Sequence, residues 1–147
     1  MTTDFYMFPC RSKSAAAQVD QVMAAIPANL YGMVWLDIET NPSSGCGWGT
    51  NYASNCEYVG ELLARIKSHG KNPGIYASYY MWQTIMGGVN SCTSHASTPL
   101  WYAHYDNSPS FSDFKSFGGW TKPAIKQFQG TNSLCGASID KNYYPWL

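Results

Sequence analysis

The chain has 147 residues, room for one domain with a real core and not for two. Nine basic residues balance nine acidic ones and charge totals only 12%, so nothing favours a grip on nucleic acid or on a membrane surface. No apolar run approaches the roughly 20 residues of a membrane span.

In chain order, residues 4–9 read as a buried strand. Ser14 can cap a helix whose Val19, Val22, Met23 and Ile26 follow i, i+3, i+4, i+7 spacing, and Pro27 ends it. Residues 32–39 form a strand that is apolar except for Asp37 and Glu39, followed by a Ser/Gly/Pro/Asn-rich loop over residues 40–50. A second helix carries Val59, Leu62, Leu63 and Ile66 in the same spacing and stops at Gly70. Residues 73–77 are a strand, residues 79–86 a short helix closed by Gly87 and Gly88, and three further strands fall at 100–106, 124–130 and 139–143. The order β-α-β-α-β-α-β-β-β predicts an α/β fold with about six mostly parallel strands. A closed (β/α)8 barrel has about 250 residues, so the expectation is an incomplete TIM-like barrel whose first two strand–helix units are missing. Residues 1–147 are read as one domain lacking its N-terminal portion, with Met1 an internal methionine or an expression start.

Five cysteines in a chain of this size point to an oxidising compartment. Cys46 and Cys56 share one loop-rich segment and could pair, Cys92 and Cys135 could pair, and Cys10 is left over. An odd cysteine means a free thiol, an intermolecular bridge or a missing partner. The spacing of Cys and His matches no zinc pattern.

Aromatic residues reach 16%, with six Trp and eleven Tyr. Rings in a charge-poor chain suit sugars, although they fill cores equally well. In a strand, positions i and i+2 share a face, so Asp37 and Glu39 point the same way as Met33 and Trp35, while Val34, Leu36 and Ile38 form the opposite apolar face. The two acids therefore stand at the C-terminal end of a barrel strand, where barrel enzymes place catalysis. Two carboxylates in a partly dry cleft keep one proton between them near neutrality, as glycosidic cleavage requires. A generic D-x-E simply begins a solvated loop; the wholly apolar run before this one is what favours a barrel mouth. Tyr76, Ser78, His104, Asp106, Gln127, Gln129, Asp140 and Asn142 fall at matching strand ends.

The runs 4–10 (Asp-Phe-Tyr-Met-Phe-Pro-Cys), 35–39 (Trp-Leu-Asp-Ile-Glu), 74–78 (Gly-Ile-Tyr-Ala-Ser), 100–105 (Leu-Trp-Tyr-Ala-His-Tyr), 126–130 (Lys-Gln-Phe-Gln-Gly) and 139–142 (Ile-Asp-Lys-Asn) together resemble the glycoside hydrolase family 25 lysozymes, the Chalaropsis type, in the invertebrate and protist branch. The resemblance implies an N-acetylmuramidase cleaving between N-acetylmuramic acid and N-acetylglucosamine of bacterial peptidoglycan, for antibacterial defence or digestion of bacteria. It implies Glu39 as proton donor, Asp37 as the carboxylate that stabilises positive charge or orients the reacting group, and Asp140 completing the acidic ring. Tyr76, Trp101, Tyr105 and Gln129 would contact substrate, and the resemblance implies no metal or organic cofactor. A monomer outside the cell or in a lysosomal or phagosomal lumen is expected, with no nucleic-acid or membrane partner. Family members also carry an Asp in a D-x-S context on their first strand, and nothing here matches it. A glycan-binding chain that keeps the aromatic rim without catalysis is therefore the alternative. The family 18 chitinases also end a strand in D-x-E, but Gly32 and Trp35 stand where their earlier acids would fall.

Overall fold

The computed structural model describes residues 3–145. The reading of Met1 lies outside them. Strand β1 (Phe5–Met7) is followed by helix α1 (Ala15–Ala25), β2 (Met33–Asp37), α2 (Tyr52–Ser68), β3 (Asn72–Ala77), α3 (Tyr79–Met86), β4 (Leu100–Ala103), β5 (Ile125–Leu134) and β6 (Ala137–Tyr143). The six strands form one sheet in sequential order, with β1 to β5 parallel to their neighbours and β6 antiparallel to β5. Among the described residues β1 and β6 do not pair, so the sheet curls into an incomplete barrel, as the alternation of strands and helices predicted.

Local signals place the helices. Ser14 Oγ accepts from Ala17 N, Asn51 Oδ1 from Ser54 N and Ser78 Oγ from Met81 N, each satisfying an N–H that the first turn leaves unpaired. The spacing read in α2 holds, with Val59, Leu62 and Ile66 fully buried. They pack with Val19 of α1 against Val34, Leu36 and Ile38, the outer face of β2. Gly87 closes α3 at φ +79, and a Cβ there would stand 2.4 Å from the Tyr52 ring, so chirality and space both demand glycine. Many rings do serve the core: Trp82, Phe117 and Trp120 are buried together, with Trp82 and Trp120 centroids 4.8 Å apart.

Several expectations need correction. Strand β1 is shorter than residues 4–9, and Tyr6 on it is 62% exposed, because β1 is an edge strand with only its other face packed. Strand β4 ends at Ala103 rather than 106, whereas β5 and β6 extend to a two-residue turn at Cys135 (φ 51) and Gly136 (φ 77). The disulfides are Cys10–Cys46 and Cys56–Cys92, leaving Cys135 free and exposed on that turn. Cys46 and Cys56 do not meet because Cys56 rides on α2, whereas the loop before it returns over the end of β1, where Arg11 N donates to Cys46 O.

Each bridge closes a 36-residue separation. By loop-closure entropy each contributes about 4 kcal/mol. A Cys10→Ser/Cys46→Ser variant is accordingly expected to unfold at clearly lower urea concentration with its α2 bridge intact. An unchanged midpoint would show that the unfolded chain retains enough structure to make the constraint redundant.

Candidate active site

Every strand sends a side chain into one cavity of about 310 Å³ at the inner, C-terminal side of the sheet. Strand β2 supplies Asp37 at its last residue, and Glu39 follows just beyond the strand. Ile38 N still donates to Tyr76 O, so the extended course continues past β2 and keeps the two acids on one face. Trp48 Nε1 donates to Glu39 O at 2.8 Å, folding the Gly-rich loop back to pin the backbone under the acid. Sequence reasoning did not single out Trp48; its signal is a Trp between two glycines in an otherwise small-residue loop.

Strands β3 and β4 bring Tyr76 and Trp101, with Tyr105 just after β4. Trp101 packs edge-on to Tyr76 at 4.8 Å and to Trp35 at 5.7 Å, and its Nε1 donates to Asn142 Oδ1 at 2.9 Å. Trp35 is held by Asp4, whose Oδ2 accepts from Trp35 Nε1 while its Oδ1 accepts from Met33 N. The Trp35 ring lies across Gly74, where a Cβ would stand 2.3 Å from it, so this aromatic floor needs glycine on β3. A second cavity of about 250 Å³ shares Tyr6, Trp101 and Asn142 with the first and extends the aromatic lining along the gap between β1 and β6.

Strand β5 contributes Gln127 and β6 contributes Asp140. Asp140 Oδ1 accepts from Thr131 N and its Oδ2 from Gln127 Nε2. Gln129, expected as a substrate contact, is not part of the lining. A bulge sets Gln127 opposite Asn142 and Gln129 opposite Lys141, so two β5 steps match one on β6 and Gln129 leaves the face Gln127 keeps. Ser78, His104 and Asp106 also lie elsewhere. His104 Nδ1 sits 2.7 Å from Asp113 Oδ2, and Asp106 and Asp113 both bind the fully buried Lys126 ammonium, which fills the space between their carboxylates. The other Cys/His grouping, Cys56, Cys92 and His95, has both sulfurs tied up in the disulfide.

The electrostatics follow from burial without compensation. No basic side chain lines the cavity. Burial, then the neighbouring Glu39 charge, pushes Asp37 up to about 7, and burial raises Glu39 as well. Asp37 Oδ1 is buried with no hydrogen-bond partner, a position that an ionised carboxylate tolerates poorly. The pair therefore favours retention of a proton near neutrality, chiefly on the deeper Asp37. Burial, with the Glu39 charge behind it, also raises Tyr76, which stays a neutral phenol.

A family model described as "Lysozyme-like protein 1" matches residues 1–128. The chain is 42% identical over 146 residues to "Probable GH family 25 lysozyme 2" of Dictyostelium discoideum, covering 97% of this chain and 65% of that protein. It is 36% identical over 148 residues to "Lysozyme-like protein 5" of Caenorhabditis elegans, covering 97% of this chain and 66% of that protein. The fold superposes on a family GH25 lysozyme of Aspergillus fumigatus with a TM-score of 0.74 at 19% identity, over 97% of this chain and 67% of that one. With the acid pair at the mouth of a curled sheet and these relatives along nearly its whole length, the chain belongs to the lysozyme-like proteins of glycoside hydrolase family 25.

Proposed function

We propose that the protein is a muramidase that hydrolyses the bond between N-acetylmuramic acid and N-acetylglucosamine in bacterial peptidoglycan. The observation that carries this reading is the acid pair. Asp37 ends β2 and Glu39 follows on the same face of the extended chain, uncompensated by any cation lining the cavity, which is walled by tyrosines and Trp101. Such a pair supplies a protonated and an ionised carboxyl together near neutral pH. Glu39, the less buried acid, is the proton donor to the leaving oxygen. A sugar lying over it removes its remaining water, raises it further and draws the shared proton to it. Asp37, released as an anion, stabilises the positive charge of the oxocarbenium-like transition state. Asp140, held by two donors, completes the acidic ring, and Trp101 offers a ring face to the sugar.

The two disulfides fit secretion or a lysosomal lumen, with digestion of bacteria or defence against them as the role. No described helix is long and apolar enough to cross a membrane.

The test is product identity. Purified peptidoglycan incubated with the protein should release muropeptides ending in reducing N-acetylmuramic acid, read by mass spectrometry. Products ending in reducing N-acetylglucosamine would reassign the cleaved bond. Absence of any release, with tight wall binding, would favour the glycan-binding alternative.

A further inference from the structure

Gln127 on β5 is only 6% exposed and holds three cavity side chains at once. Its Oε1 accepts from the Tyr76 hydroxyl at 2.7 Å and from the Tyr105 hydroxyl at 2.7 Å, and its Nε2 donates to Asp140 Oδ2 at 3.1 Å. The direction of these bonds is dictated by chemistry. Both Asp140 oxygens accept, one from a backbone N–H and the other from Gln127 Nε2, which places the amide nitrogen on that side. The amide oxygen then faces the phenols, and because it too only accepts, both phenols must donate to it. The second Asp140 oxygen accepts from Thr131 N at 2.8 Å, which fixes the carboxylate that sets the pattern. Each phenol has one O–H, and the two hydroxyls also interact with each other, so both protons are spent within the Tyr76–Tyr105–Gln127 cluster. Toward the cavity, Tyr76 and Tyr105 can therefore present only lone pairs.

This has a second consequence for the acids. Tyr76 and Tyr105 both stand in the field of Asp37 and Glu39. A phenol proton turned toward either carboxylate would favour the ionised form of that carboxylate. The other titratable groups facing the pair are Tyr6 on β1 and Asp140 on β6. Tyr6 has no such anchor among the bonds described.

We propose that Gln127 is a positioning residue that sets the hydrogen-bond polarity of the cavity wall, turning Tyr76 and Tyr105 into acceptors that select sugar donors such as an N-acetyl N–H or a ring hydroxyl. The same orientation keeps the phenol protons off Asp37 and Glu39. The inference rests on the glycan reading above for the nature of the ligand, but not for the polarity itself.

The experiment compares wild type with Gln127→Leu, which removes both amide functions, and Gln127→Glu, which keeps an acceptor for the phenols. The first readout is proton NMR of the phenol hydroxyls. Wild type and Gln127→Glu should show slowly exchanging hydroxyl protons for Tyr76 and Tyr105, and Gln127→Leu neither. The second is binding of chitotetraose, expected to weaken roughly tenfold in Gln127→Leu, as losing two neutral hydrogen bonds predicts, and by less than half of that in Gln127→Glu. The third is the pH profile of peptidoglycan hydrolysis, whose alkaline limb should move to lower pH in Gln127→Leu, a displacement that loosened packing alone would not produce. Retention of both hydroxyl protons or of full chitotetraose affinity in Gln127→Leu overturns the proposal. Should Gln127→Leu fail to fold, loss of the hydroxyl protons in a folded Gln127→Glu overturns it instead, and their retention supports it. A folded wild type that shows both hydroxyl protons but binds no chitotetraose sinks the glycan reading and the selection of sugar donors while leaving the polarity in place.

Discussion

A Glu39→Gln variant is expected to hydrolyse peptidoglycan about a thousandfold more slowly than wild type while still binding it, because a positioned general acid contributes between about 10² and 10⁴ in rate. Gln is nearly isosteric with Glu and keeps the backbone contact from Trp48 to the residue 39 carbonyl, so the aromatic walls and the fold should be undisturbed. The loss should appear in kcat, since no proton is transferred in the bound ground state. Hydrolysis retained within tenfold of wild type would remove Glu39 as the donor and leave Asp37, the more strongly raised acid, as the candidate.

Asp37→Asn should show a companion effect of opposite sign on stability. Asp37 is raised from an ordinary 3.8 to about 7 by burial and then by the Glu39 charge. A raised carboxyl holds its proton more tightly folded than unfolded. Its contribution is therefore fully present below about pH 4 and is lost as pH rises through about 7. Asn cannot ionise and shows no such loss. From pH 4 to pH 8 the unfolding free energy of the variant should gain on that of wild type by up to roughly 4 kcal/mol, while hydrolysis falls. Urea midpoints of both proteins at the two pH values decide it. A difference that does not change with pH would mean that Asp37 is hydrated in solution and the pair shares no proton.

The acids were legible in the sequence because they sit where an apolar strand ends, and a period of two put Trp35, Asp37 and Glu39 on one face. The helices were legible because caps and 3.6-residue spacing are local. What could not be read depends on events far along the chain. Disulfide connectivity failed because Cys10 and Cys46 meet only once the 40–50 loop has returned over β1. Gln129 was expected in the cavity, and Gln127 holds the network, because the period of two runs only as far as the bulge between them, and a bulge leaves no mark in the pattern of residues. His104 and Asp106 were grouped with the rim because β4 was read as running to residue 106. The strand ends at Ala103, and the chain beyond it turns these two toward Lys126 and Asp113.

That second cluster carries the other large effect. On a period-two reading Lys126, next to the inward Gln127, points out of the barrel and should be solvated, yet it is fully buried. Its Nζ lies 2.7 Å from Asp106 Oδ2 and 2.6 Å from Asp113 Oδ1, and Asp113 also accepts from the Tyr102 hydroxyl. Burial pushes Asp113 up, but the bonds from Lys126, His104 and Tyr102 outweigh it and hold it at about 2; Lys126 likewise lowers Asp106. Replacing Lys126 by Met leaves two facing carboxylates without their cation, and breaking such a pair from one side costs about 3–5 kcal/mol. Adding Asp106→Asn and Asp113→Asn should restore much of that, since the penalty lies in the unpaired charges and not in the missing amine. The depressed carboxyls also give the sign of the acid response. The Asp113 contribution is present above about pH 4 and is lost as pH falls through about 2, where its protonation loosens the hold on Lys126; the lowered Asp106 acts in the same direction. Because His104, Asp106 and Asp113 stand outside the cavity that holds Asp37 and Glu39, the triple variant should bind chitotetraose as wild type does. A Lys126→Met variant as stable as wild type would mean that water reaches the cluster and that the ion pairs contribute no more than a surface bridge.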